Sequence, residues 1–259
     1  MLLTVDIGNS NICLSVFEDN KIKYRWRLKT VLQKDVENYA VDIIEAMVND
    51  GFDGGLISGV IIASVVPSLT EVLKGAIGKL SKAKITIAGL KGANFELKIK
   101  LKNKKEVGQD RLVTAVAGFK KHGGNLIIID FGTATTFDVI GKNGEYLGGV
   151  IAPGINLSAK ALFEMTAQLP QIELKTQKNV IGKNTLQAMN SGLYFGYISL
   201  CEGLIARIKE EYKEICSDEM TIIATGGHGE MFYNALKQIN YLEPDLTCEG
   251  LNFIYRANN

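Results

Sequence analysis

The chain lacks the features that define several large classes of protein. Its 259 residues include only 4 cysteines and 4 prolines, and no two cysteines form a CxxC pair, so neither a zinc site nor a disulfide framework is predicted. No apolar run approaches the roughly 18–20 residues of a membrane span, and Asp6 interrupts the start before a signal peptide's apolar region could form. These absences predict a soluble, cytoplasmic protein with reduced thiols and no membrane partner.

An excess of charge of either sign is also missing. The 29 basic and 28 acidic residues leave a net charge of +1, and the basic run from Lys98 to Lys105 has no interleaved aromatic residues, so no nucleic-acid partner is expected. No GxGxxG motif follows a strand, and the Gly-Lys-Asn-Thr segment at 182–185 lacks the upstream glycine of a P-loop. The sequence therefore predicts neither a P-loop nor a Rossmann nucleotide site.

What the sequence does contain is an internal repeat. A buried strand running into Asp6-Ile7-Gly8 is repeated by one running into Asp130-Phe131-Gly132, 124 residues later. Turn signals at 19–20 and 143–144 follow at the same spacing, so the register is predicted to hold beyond the first turn. Each half is thus predicted to open with three antiparallel strands and to close with a further buried strand ending at Ser64 or Thr225.

Helical periodicity follows the strands in both halves. The pattern predicts an amphipathic helix over 33–49 and a longer one over 186–212, capped by Thr185. The architecture expected from this order is a duplicated α/β unit with a ligand between its halves. We place the boundary in the helix that begins near Asp110, which gives domains 1–115 and 116–259.

The repeated Asp-x-Gly turn is suited to phosphate. Glycine lets the backbone approach closely, and free N–H groups with nearby hydroxyls or amides can point at phosphate oxygens. An aspartate cannot face a phosphate unaided, so Asp6 implies a bridging Mg²⁺. A single Asp-Gly pair is more often only a hairpin turn, but two copies in matching register favour phosphate binding.

Besides the two Asp-x-Gly turns, a third group of candidate functional residues surrounds Asp110, at the predicted start of a helix. One reading is a first-turn carboxylate that stabilises the helix dipole; the other is a general base for a substrate hydroxyl, with Arg111 holding an anionic group. The spacing does not decide between the two. In either case the helix N-terminus is expected to keep Asp110 ionised at neutral pH.

We interpret Asp138 as structural, and Tyr194 and Tyr197 as core or interface residues.

These motifs together resemble the type III pantothenate kinase family, in that family's order and over nearly the whole chain. The motifs are DIGNSN at 6–11, GQDR at 108–111, DFGTATT at 130–136, GGVIAPG at 148–154, VIGKNT at 180–185 and ATGG at 224–227. The resemblance implies an α/β fold of duplicated actin-like (ribonuclease H-like) ATPase domains with mixed five-stranded sheets. It also implies ATP-dependent phosphorylation of pantothenate to 4'-phosphopantothenate, the first step of coenzyme A biosynthesis.

The resemblance further implies roles for individual residues. Asp110 would accept the proton of the substrate hydroxyl, Asp130 would hold a monovalent cation, K⁺ or NH₄⁺, and Thr133 would contact the ATP phosphates. The first phosphate-binding segment would comprise Asp6, Ile7, Gly8, Asn9, Ser10, Asn11, Ile12 and Cys13. Pantothenate would contact Gly108, Gln109, Asp110, Arg111 and Thr185.

Family members are homodimers with the substrate near the interface, which makes the stretch from Leu193 to Tyr197 a candidate interface. Two positions depart from the family pattern. Ser10 replaces a threonine and keeps the hydroxyl, and Leu101 stands where a tyrosine lines the substrate pocket. The alternatives are another small-molecule kinase of the same fold, because fold does not fix substrate, and a non-catalytic transcription accessory protein.

Overall fold

A computed structural model describes residues 1–89, 93, 95–213 and 219–259, without the side chain of Lys105. Cys216 lies outside these residues. They form two compact units, one of residues 1–121 with 246–259 and one of residues 122–245. Within the described ranges, no helix is long and apolar enough to cross a bilayer.

The first unit is built around the central strand β1 (Leu2–Ile7). Its other elements are β2 (Asn11–Glu18), β3 (Lys21–Lys29), α1 (Val36–Asn49), β4 (Gly59–Ser64), α2 (Pro67–Leu80), β5 (Ile85–Ile87), β6 (Lys98–Ile99) and α3 (Gln109–His122). The sheet has the order β3-β2-β1-β4-β5, in which β2 and β3 are antiparallel to their neighbours while β4 and β5 continue in parallel.

The second unit repeats this arrangement around β7 (Leu126–Phe131). Its other elements are β8 (Ala134–Ile140), β9 (Glu145–Pro153), α4 (Ile155–Glu164), α5 (Thr185–Lys213), β10 (Thr221–Thr225), α6 (Gly229–Tyr233) and β11 (Tyr241–Leu242), and the chain ends in α7 (Leu246–Ala257). The strands of this unit follow the order β9-β8-β7-β10-β11 with the same directions. The predicted duplication of a mixed α/β sheet is confirmed.

The repeat is one residue shorter in its first turn. The β1–β2 hairpin leaves four residues between its last pair, Ile7 and Ile12, whereas the β7–β8 hairpin leaves three between Phe131 and Thr135. The prediction that the register holds past this turn is therefore wrong. The next turn compensates, because it is a two-residue turn after Glu18 in the first unit but contains three residues, 142–144, after Gly141 in the second. Compensating turn lengths explain why the sequence spacing looks uniform.

Helix α1 begins later than its hydrophobic pattern predicts. The side chain of Asp35 accepts the backbone N–H of Asn38 at 2.8 Å and caps the helix, so the chain becomes helical only at Val36. Ile43 and Met47 pack into the core of the first unit, but Ile44, the residue after Ile43, is 43% exposed.

The last helix belongs to the first unit, although the sequence assigned all of 116–259 to the second half. Helix α7 packs on β1, β2 and β4, and its Leu251 and Ile254 are almost fully buried. It also crosses α3 closely, because a Cβ on Gly250 would lie 2.2 Å from the Val113 carbonyl oxygen. The order of elements along the chain does not reveal that α7 packs on the first sheet, because this depends on which sheet the helix covers in the folded protein.

Candidate active site

The first predicted phosphate segment is a tight turn at the carboxyl end of β1. The Gly8 N–H donates to the Asn11 carbonyl at 3.0 Å, and a Cβ on Gly8 would approach that oxygen to 3.1 Å. Asn9, Ser10 and Asn11 are exposed, so this turn is accessible from solvent.

The residues on either side of this exposed turn are more buried. Ile7 and Ile12 are 0% exposed and form part of the core, so these side chains are not available to a ligand. Cys13 is half-buried in β2, opposite Asp6 in β1. One carboxylate oxygen of Asp6 is buried at the end of its strand.

The base candidate Asp110 lies in the first turn of α3, at the same edge of the first sheet. The preceding residue, Gln109, accepts the Ser64 N–H at 3.4 Å through its side-chain oxygen, and the next residue after Ser64 donates its N–H to the Ile7 carbonyl at 3.0 Å. Ser64 and Ile7 are paired at the ends of β4 and β1. The start of α3 is thus joined to the strand ends that carry the Asp6 turn.

The environment of Asp110 shifts its acidity. Burial raises the pKa of the Asp110 carboxyl above its usual value, although the backbone N–H and the guanidinium of Arg111 act in the opposite direction. The shift is opposite to the one expected from a helix N-terminus alone. Desolvation prevails over the hydrogen bond that the Arg111 N–H donates to Asp110 Oδ1 at 2.8 Å.

The neighbours of Asp110 hold it in place. A Cβ on Gly108 would lie 2.4 Å from Asp110 Oδ1, so only glycine leaves space for the carboxylate. Gln109 lies against Gly89, where a Cβ would come within 2.8 Å of its Nε2. Together with its contact to Ser64, this indicates that Gln109 positions the start of α3. One terminal nitrogen of Arg111 is buried.

The second unit contains the other turn, between β7 and β8. The Gly132 N–H donates to the Ala134 carbonyl at 3.1 Å, and Thr133 is exposed at the tip. Asp130 lies opposite Thr136 in β8 and Thr225 in β10.

Asp130 is covered by glycine backbone. Gly226 has a φ of +86°, and a Cβ on it would lie 2.2 Å from Asp130 Oδ1. The corresponding position on Gly132 is 3.3 Å from the same oxygen. Glycine at both positions lets the backbone lie against the buried carboxylate oxygen of Asp130.

Thr185 is the first residue of α5 and not its cap. Asn184 Oδ1 accepts the Gln187 N–H at 2.9 Å and takes the capping role, while the Thr185 side chain is exposed. It borders an open groove of about 660 Å³, whose lining includes Leu162, Lys183 and Met189. The threonine hydroxyl is therefore available to a ligand of the second unit.

Two residues of the candidate interface face inward. Leu193 and Tyr197 are 5% and 6% exposed and belong to the core of the second unit.

Asp138 is buried and accepts a hydrogen bond of 2.5 Å from the Tyr146 hydroxyl, in line with its structural interpretation.

Sequence reasoning missed Thr30, which contacts the first turn. Its hydroxyl donates to the Gly8 carbonyl at 2.7 Å, and its N–H donates to the Ser10 carbonyl at 3.0 Å. The 124-residue spacing that relates Asp6 to Asp130 also relates Thr30 to Gly154, and applying it there could have drawn attention to this position.

Solved structures share this fold. A Campylobacter jejuni protein provisionally assigned as a Baf family transcriptional activator matches with a TM-score of 0.61 and 20% identity, over 99% of this chain and 98% of its own. A Sinorhizobium meliloti protein provisionally assigned as a 2-dehydro-3-deoxygalactonokinase matches with a TM-score of 0.58 and 11% identity, over 99% and 96%. The chain has the actin-like, sugar-kinase-like fold that these structures share.

The sequence narrows the class to a family. The family profile described as type III pantothenate kinase matches residues 2–207. A type III pantothenate kinase from Paramagnetospirillum magneticum is 42% identical over 259 residues, which is 100% of this chain and 98% of the relative. The chain belongs to the type III pantothenate kinase family.

Proposed function

We propose that this protein transfers the γ-phosphoryl group of ATP to the hydroxyl of pantothenate, yielding 4'-phosphopantothenate. The observation that carries the proposal is the position of Asp110, a partly buried carboxylate joined through Gln109 and Ser64 to the strand ends beside the Asp6 turn. Family membership supports the same reaction, because the full-length relative is a pantothenate kinase.

In this proposal Asp110 accepts the proton of the attacking hydroxyl. Its raised pKa makes it a stronger base than an ordinary aspartate, which favours proton transfer in the transition state. Phosphoryl transfer otherwise requires mainly positioning and neutralisation of charge. Gly108 leaves space for the carboxylate, and Arg111 adds a positive charge next to it.

The ATP phosphates are assigned to the two turns. Exposed Asn9, Ser10 and Asn11 and the turn backbone would contact them from the first unit, and Thr133 from the second. Asp6 would hold Mg²⁺ through water, and this ion would neutralise phosphate charge.

The surroundings of Asp130 fit a monovalent cation such as K⁺ or NH₄⁺. A buried carboxylate oxygen of Asp130 lies against the backbone of Gly226, and carbonyl groups of the adjoining turn would supply neutral oxygens. Among the described residues, no three His, Cys, Asp or Glu side chains are grouped to hold a metal ion. A cation here would therefore depend on backbone oxygens besides Asp130.

Pantothenate is assigned to Gly108, Gln109, Asp110 and Arg111 in the first unit and to Thr185 in the second. The exposed Thr185 hydroxyl at the edge of an apolar groove supports the last contact. Leu101, half-buried in this structure, replaces a polar pocket residue and would make that side of the pocket more apolar.

A cytoplasmic homodimer is part of the proposal. The second unit exposes several apolar side chains that water solvates poorly: Ile151 at 64%, Leu157 at 50%, Met165 at 84% and Ile181 at 75%. Their burial against a second copy would remove this surface from water. Because Leu193 and Tyr197 face their own core, the interface would use other faces of the unit.

The test is a coupled ADP assay of the purified protein with ATP, Mg²⁺ and K⁺. Pantothenate, glucose and acetate are offered separately, and the product is identified by mass. We expect turnover with pantothenate alone. Turnover of glucose or acetate without pantothenate would reassign the substrate, and salt-sensitive DNA binding without kinase activity would favour an accessory protein.

A further inference from the structure

In each unit, the residue that follows the third strand contacts the turn to which the proposed function assigns the ATP phosphates. In the first unit the Thr30 N–H donates to the Ser10 carbonyl at 3.0 Å, and in the second the Gly154 N–H donates to the Thr133 carbonyl at 3.1 Å. Thr30 follows β3 and Gly154 follows β9, 124 residues apart. The two contacts are equivalent in the repeat.

The side chains at these two positions differ in a way that fits each turn. Thr30 adds a hydroxyl that donates to the Gly8 carbonyl at 2.7 Å. A Cβ on Gly154 would lie 2.1 Å from the Thr133 oxygen and 2.6 Å from the Gly132 oxygen. The four-residue turn is thus held by a hydroxyl, and the three-residue turn is held by direct approach of the backbone.

A buried tyrosine from a helix holds the backbone beside each contact. The Tyr39 hydroxyl of α1 accepts the Val31 N–H at 2.9 Å and donates to the Val31 carbonyl at 3.0 Å. In the second unit the Tyr197 hydroxyl of α5 donates to the carbonyl of Pro153. Because both tyrosines lie in their cores, the segments that touch the turns are themselves fixed.

Holding a carbonyl also directs the next N–H group. A peptide unit is planar and trans, so a fixed C=O fixes the N–H of the following residue on the opposite side. The Gly8 carbonyl shares its peptide with the Asn9 N–H, and the Ser10 carbonyl with the Asn11 N–H. Both carbonyls point at Thr30, so both N–H groups are directed away from it.

We propose that Thr30 is a positioning residue that holds the first turn in its phosphate-binding geometry, and that Gly154 has the same role for the second. The inference rests on the proposed function only in taking the turns to bind the phosphates of ATP. Such backbone preorganisation avoids a cost at the moment of binding, when N–H groups would otherwise have to be ordered.

The test uses Thr30→Val, which keeps the shape and removes the hydroxyl, and Thr30→Ser, which restores it. Thr4→Val is the matched control, because the buried Thr4 hydroxyl also donates within this hairpin, to the Ser15 carbonyl at 3.3 Å, but away from the turn. Binding of a non-hydrolysable ATP analogue with Mg²⁺ is measured by calorimetry, and Tm by thermal unfolding.

We expect Thr30→Val to weaken analogue binding about three- to tenfold, the range for loss of one hydrogen bond, with Thr30→Ser close to wild type. Thr4→Val should bind like wild type even if its Tm falls. Wild-type binding by Thr30→Val, or equal weakening by Thr4→Val, would overturn the proposal. In the second unit Gly154→Ala should weaken binding as well, and if it fails to fold, the Thr30 series decides.

The two proposals fail in different ways. If the wild type binds the analogue but does not phosphorylate pantothenate, the proposed reaction is wrong and the role of Thr30 is still judged by the binding constants. If the wild type binds no nucleotide, both proposals fall.

Discussion

The two units share one sheet plan but surround their aspartates with different chemistry. Asp6 lies opposite Cys13 and Ala63, whereas Asp130 lies opposite Thr136 and Thr225. The central strands occupy the same place in the two sheets, yet only the second carboxylate has hydroxyl-bearing neighbours on both sides. The duplication has kept the aspartate next to last in the central strand and has changed the groups that a ligand there would meet.

The helices after the last strands differ as well. Helix α3 follows the first sheet and carries Asp110 in its first turn, whereas α7 follows the second sheet and opens with Leu246 and Thr247, with Glu249 as its first-turn acid. Phosphoryl transfer to one hydroxyl needs a single base. The start of α7 therefore does not need a catalytic carboxylate and can serve packing alone.

The largest effect is expected from removing the base. Asp110→Asn should lower kcat by about 10²–10⁴ and leave binding of an ATP analogue nearly unchanged, because the amide keeps the shape but cannot accept the proton. Steady-state kinetics and calorimetry measure the two quantities.

Glu249→Gln is the matched control for this variant. It neutralises an acid at the corresponding start of α7, where Glu249 forms a 2.6 Å ion pair with Lys121, and should keep near-wild-type turnover. Turnover of Asp110→Asn within a few-fold of wild type would exclude the base assignment.

The next effect separates the two strand-end aspartates. Asp130→Asn should lower kcat at least about tenfold, the lower end of the losses seen when even an outer partner of a metal site is removed, and should abolish activation by K⁺ or NH₄⁺. Asp6→Asn should instead raise the Mg²⁺ concentration needed for half-maximal rate and keep the response to K⁺. Titrations of each cation at saturating substrates distinguish these outcomes, and an unchanged K⁺ response in Asp130→Asn would contradict the cation assignment.

A smaller loss is expected from placing a methyl group against Asp130. Gly226→Ala places a methyl group 2.2 Å from Asp130 Oδ1 at a φ of +86°, so turnover and Tm should both fall. Gly124→Ala is the control for strain alone, because Gly124 has a φ of +67° and nothing lies within 4 Å of its Cβ position. It should lose about 1 kcal/mol of stability and no activity. Equal activity of the two variants would show that the contact with Asp130 is unimportant.

The sequence was informative wherever a local pattern fixes a local structure. The Asp-x-Gly turns, the three opening strands and the helix at Asp110 each follow from residues close together in the chain. The sequence was not informative where contacts between residues distant in the chain determine the structure. The lengths of two turns compensate each other, α7 returns to the first sheet, and Thr30 acts through the carbonyl of Gly8, a contact between residues 22 positions apart that no single-strand pattern encodes. The direction of the pKa shift of Asp110 could not be read from the sequence for the same reason, because burial is a property of the packed fold.

That pKa also leads to the smallest expected effect, on stability. Because the native pKa of Asp110 is raised, ionising the carboxyl costs folding free energy, so the wild type loses this contribution as pH rises from the unfolded value near 3.9 through the native one. Asp110→Asn is spared the loss and should unfold roughly 1–3 °C higher at pH 7, a shift of the size produced by up to about 1 kcal/mol in a chain of this length. The advantage should shrink as pH approaches 4. The exposed N-cap variant Asp35→Asn should keep near-wild-type stability at pH 7, since asparagine caps a helix as well as aspartate. A lower Tm for Asp110→Asn at pH 7 would mean that the interactions of the ionised carboxylate with Arg111 outweigh its burial. A higher Tm together with the loss of turnover would show that the first unit sacrifices stability to hold a base at this helix start.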